Sequence, residues 1–105
     1  MNNNQVKYSR KLVQLKRLIM AQYRADIKDM DIIYADVKGV RGGEAGFQLT
    51  YAIKFKDPRI ESTDIQCSYS RDISQVPVPI MFRPFRGAMN DIMAVALIKN
   101  AATID

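Results

Sequence analysis

Arg83-Pro84-Phe85-Arg86, with Gly87 behind it, is the local feature of this sequence with the most to offer a ligand. Two guanidinium groups three residues apart are suited to binding phosphate, because each is permanently charged and presents a planar fork of donors. If a helix opens at Gly87, its unsatisfied amides and positive dipole end would favour the same anion. Phe82 and Phe85 flank the pair and are candidates for stacking on a base. The plainer alternative is that both rings fill core while the arginines reach over the surface. Arg41, in the glycine-rich stretch Lys38 to Gly46, would stand at a loop tip from which it could contact phosphate.

Asp29 and Asp31 fall on one side of a strand by its period of two, and paired carboxylates can hold Mg²⁺ for phosphoryl-transfer or nuclease chemistry. No third ligand follows from their spacing, so we expect no metal and read the acids as solvated. Cofactor motifs are missing too. Gly39, Gly42, Gly43 and Gly46 precede a strand, not the helix that a phosphate-cradling loop requires, and are read as a hairpin turn.

The composition narrows the chemistry further. With no His and one Cys, the 105-residue chain cannot supply a Ser-His-Asp triad, a Cys-His pair or the usual zinc sets. We therefore expect a binding protein that is not an enzyme. The lone Cys67 fits a reducing cytoplasm, where it packs as a small hydrophobe. The longest apolar run, Met93 to Ile98, falls far short of the roughly 20 residues of a membrane span.

The net charge of +5 has a location. Residues 1–28 hold Lys7, Arg10, Lys11, Lys16, Arg17, Arg24 and Lys28 against the single acid Asp26, a balance of +6 that leaves −1 for the rest. Tyr8, Leu12, Leu15, Ile19, Tyr23 and Ile27 recur at the 3-4 spacing of one helical face, predicting a helix over 5–27. Lys7, Arg10, Arg17, Arg24 and Lys28 then lie on the opposite face, with few acids to neutralise them. A single-sign stripe of this kind is an anion-binding surface or a solvated face.

These side chains need elements to hold them. Residues 1–4 are expected to be disordered, and the hydrophobic period changes from helical to alternating after Asp29. Strands are predicted over 30–38, 47–56 and 62–70, forming an antiparallel meander with one apolar face. The first is apolar on both sides and is expected to be central. Three prolines between Val76 and Arg86 predict an extended crossover, and 87–101 a helix apolar nearly all round, suited to burial and to contact with another subunit.

The expected fold is thus one α+β domain, α-β-β-β-α, with a three-stranded antiparallel meander and two helices on one face. This order is similar in outline to double-stranded-RNA-binding domains and, more loosely, to strand-annealing recombination proteins. A cluster of lysines opening the last helix of the former is replaced here by Arg83, Pro84 and Phe85.

The leading expectation is a cytoplasmic, homo-oligomeric protein that binds nucleic acid through phosphate contacts. The alternatives are an oligomeric adaptor or inhibitor that binds an acidic protein, and a protein that sequesters a charged nucleotide-like ligand at Arg83, Arg86 and Gly87. No membrane partner is expected.

Overall fold

The computed structural model describes the backbone of residues 3–39 and 45–103 and the side chains of residues 10–39 and 45–99. Helix α1 (Asn3–Gln22) is followed by strands β1 (Ile27–Val37), β2 (Gly46–Phe55) and β3 (Thr63–Tyr69). A 3-10 turn over Ile73–Gln75 then leads into helix α2 (Val78–Thr103). The order is α-β-β-β-α, and the sheet is antiparallel throughout with strand order β1-β2-β3.

Strict alternation makes β2 the backbone of the core. Phe47, Leu49, Tyr51, Ile53 and Phe55 are all buried on one face, while Lys54 on the other is exposed. Register carries the pattern outward: Met30 pairs with Ile53, and Leu49 with Cys67. Leu15 and Ile19 from α1, Tyr23 from the turn after it, and Met81, Phe82, Phe85 and Met89 from α2 join the same buried cluster. Aromatic rings tie the layers together, with Tyr51 and Phe85 centroids 4.6 Å apart and Phe85 and Tyr23 6.0 Å apart in an edge-on contact.

Four features depart from the sequence expectation. Asn3 and Asn4, expected to be disordered, belong to α1. At its other end α1 stops at Gln22, and the amides of Asp26 and Ile27 both donate to the Tyr23 carbonyl, at 3.0 and 2.9 Å, in a tight turn. The 3-4 spacing runs on to Ile27 because Tyr23 and Ile27 serve one core, the second from a strand. Arg24 therefore sits in the turn, and Lys28 lies in β1 at a register irregularity between Ile27 and Asp29.

Strand β1 is an edge, not the centre. In a meander joined by two hairpins the middle strand takes the central place, and the apolar residues on the far side of β1 stay in the open, with Ile33 56% and Val37 41% exposed.

The proline-rich segment is helical from Val78 onward. The amides of Ile80 and Met81 donate to the Pro77 carbonyl at 3.0 and 3.1 Å, so Pro77 caps the helix and Pro79 falls in the first turn, where no amide is needed. Pro84 lies in the helix interior and removes one ladder bond, at a cost of about 3 kcal/mol. Met81, Phe82, Phe85 and Met89 are each buried, and at roughly 1.5–3 kcal/mol apiece their burial outweighs that cost. No helix among the described residues is long and apolar enough to cross a membrane.

Candidate functional site

Exposed cations gather on the helical layer. Arg10 and Arg17 are two turns apart on the outward face of α1, about 10 Å along the axis, and both are exposed. Arg24 is exposed in the turn that follows, and Arg83 and Arg86 are exposed on α2. The two helices meet where the Tyr23 hydroxyl donates to Asn90 Oδ1 at 2.9 Å. Burial raises the Tyr23 hydroxyl pKa and the positive charge of Arg86 opposes that rise. Tyr23, just before Arg24, packs on Phe82 with ring centroids 6.5 Å apart. Arg86 also lies over the Phe82 ring, 6.0 Å from its centroid. None of Arg10, Arg17, Arg24, Arg83 or Arg86 forms an ion pair with another described residue.

Several expected site residues lie elsewhere. The side chain of Lys7 and the whole of Arg41 fall outside the described residues. Lys28, exposed, belongs to the edge strand rather than to the helical stripe. Arg83, Arg86 and Gly87 are inside α2 and not at its start, so no helix terminus assists them. The real terminus is a poor anion site, because Pro77 and Pro79 have no amide hydrogen and the Ile80 amide is bonded to Pro77. Phe82 and Phe85, proposed for base stacking, are 8% and 0% exposed and are committed to the core.

Two lysines of the N-terminal cluster work inside the molecule, which spacing did not reveal. Lys11 Nζ donates to the carbonyl oxygens of Ile73 and Val76 at 2.8 Å and of Ser74 at 3.3 Å. This clasp anchors α1 to the 3-10 turn and satisfies carbonyls at its end. Lys16 reaches Asp31 of β1 at 4.0 Å. Lys11 sits between the apolar and outward faces of α1, and that flanking position is the only local sign of its role.

The uncovered side of the sheet has the opposite character. Asp29 pairs in register with Lys54, while Asp31 and Asp64 both pair with Ala52 from the two outer strands. Asp29, Asp31, Lys54, Ser62 and Asp64 line one shallow depression there, so Lys54 is set among acids. Asp29 Oδ1 accepts the Met30 amide at 2.9 Å. Among the described residues, no three acidic or sulfur side chains are placed to hold a metal ion.

Arg59, another cation near a strand end, is held by Asp57 through bonds of 3.0 and 2.8 Å. Hydrogen bonding to Arg59 pulls the Asp57 carboxyl down to about 2. Comparison with protein families, with characterised proteins and with solved structures finds no match to this chain.

Proposed function

We propose that the protein is a non-enzymatic nucleic-acid-binding protein that meets the phosphate backbone with its helical layer. The observation that supports this reading is the set of exposed cations from both helices and the turn after α1, Arg10, Arg17, Arg24, Arg83 and Arg86, none in an ion pair among the described residues. Cations without internal partners keep their full charge for an external anion and displace its counterions. The acids of the sheet face lie on the other side, so an anionic polymer is steered to one surface. Phosphate contacts carry little sequence information, so binding is weakly selective. The reading takes the protein to act in the cytoplasm as a homo-oligomer.

Fluorescence anisotropy with labelled duplex DNA, duplex RNA and single strands tests this directly. If about five phosphates are neutralised on duplex DNA, the log-log salt slope is about −4.5. Replacing Arg10, Arg17 and Arg24 together with Glu should abolish binding at low salt while leaving the circular dichroism spectrum unchanged. No binding of the native chain at low salt, or a slope near zero, removes the reading. Loss of binding only when Arg83 or Arg86 is replaced would indicate a compact nucleotide-like ligand instead.

A further inference from the structure

Helix α2 outlasts the body that it packs against. Its 26 residues span about 39 Å at 1.5 Å per residue, in a molecule measuring 53 × 30 × 23 Å. Among the described residues Met89 is its last buried one, and beyond it Val95 and Ile98 are 52% and 69% exposed. Ala88, Ile92, Val95 and Ile98 follow the 3-4 spacing of one stripe along the helix. Beside that stripe an open cleft of about 250 Å³ is lined by Ile92, Val95, Ala96 and Lys99 on one side and by Arg59, Ile60 and Glu61 on the other.

We propose that this stripe is the contact between two copies of the chain, their α2 helices lying antiparallel about a two-fold axis at Val95. The proposal rests on the self-association part of the reading above and not on nucleic-acid binding. Charge decides both occupant and direction. Asp91 stands four residues before Val95 and Lys99 four residues after it, and neither forms an ion pair with another described residue. An antiparallel pair centred on Val95 sets Asp91 of each copy at the same level as Lys99 of the other, across the seam and twice, and Ile92 at the level of Ile98. A parallel pair would set Asp91 against Asp91 and Lys99 against Lys99. The contact is self-complementary, as two-fold symmetry requires, and the helix dipoles also oppose. Leu97 lies on the far side of the helix and takes no part.

Mass measurement by light scattering, without nucleic acid, is the test. The native chain is expected at twice its 12.0 kDa, and Val95→Arg at one chain mass, whereas Leu97→Ser stays dimeric. Asp91→Lys and Lys99→Asp should each weaken the dimer by about tenfold or more, and the double variant should recover it. Val95→Cys in a Cys67→Ala background should oxidise to a covalent dimer, because a residue on the axis faces itself.

A native mass of one chain at high micromolar concentration overturns the proposal. So does a dimer broken by Leu97→Ser but not by Val95→Arg, or a double variant that fails to recover. Anisotropy on the Arg10, Arg17 and Arg24 variants is read separately, so failure of the dimer and failure of nucleic-acid binding are distinct results.

Discussion

The Tyr51 hydroxyl is the one buried side-chain polar atom, among the described residues, without a hydrogen-bond partner. Tyr69, its polar neighbour, donates instead to the Met81 carbonyl oxygen at 2.8 Å. An orphaned buried hydroxyl costs about 1–3 kcal/mol, so Tyr51→Phe, which keeps the ring against Phe85, should be neutral or raise stability by up to about 2 kcal/mol in urea unfolding. The same pair makes the fold sensitive to alkali. Burial pushes Tyr69 from 10.0 up to about 12 and raises Tyr51 as well. Because the unfolded phenols ionise first, the stability that these two groups contribute is full below about pH 10 and falls as pH rises toward 12. Unfolding measured across pH 9–12 should show this loss, with a shallower slope for Tyr51→Phe.

At the scale of elements, two glycines have opposite meanings. A Cβ at Gly46 would stand 1.8 Å from the Tyr69 carbonyl oxygen, because the start of β2 lies against the end of β3. Backbone cannot yield that distance, so Gly46→Ala should destabilise by about 3 kcal/mol or more, at the top of the range for overpacking. A Cβ at Gly87 meets nothing within 4 Å, and Gly87→Ala in mid-helix should gain about 0.5–1 kcal/mol. Thermal melts of the two variants should move in opposite directions.

Lys11 joins elements in another way. Lys11→Met keeps the stem but removes the lysine donor from the Val76 carbonyl and leaves the Ile73 carbonyl with the Val76 amide alone at 3.2 Å, an expected loss of about 1–3 kcal/mol. Because this cation is already committed internally, the salt slope of nucleic-acid binding should not change. Strands β2 and β3 were legible in the sequence to within a residue or so, since alternation over seven or more residues has one solution. The start of α2 was not, because local proline preference was outweighed by Phe82 and Phe85 packing on the rest of the core.

Over the whole molecule, the excess positive charge becomes directional. The helical layer presents Arg10, Arg17, Arg24, Arg83 and Arg86, while the open sheet face holds Asp29, Asp31 and Asp64 around Lys54. Local spacing by itself determined the order of elements, the inward residues of β2 and the N-terminal seat of the charge. Periods of 2 and 3.6 are properties of a single strand or helix, so neighbours in the chain suffice to reveal them. Only the tertiary structure decided which cations remain available. Lys11 is withdrawn by carbonyls 62 to 65 residues away and Lys16 is drawn to Asp31, while Arg86, over the Phe82 ring, is brought near the end of α1 by the packing of Tyr23 on Phe82 and Phe85. The same packing withdrew the two Phe rings from the surface, and the hairpin connections set β1 at an edge. Each of these outcomes depends on partners remote in sequence, which no local period encodes.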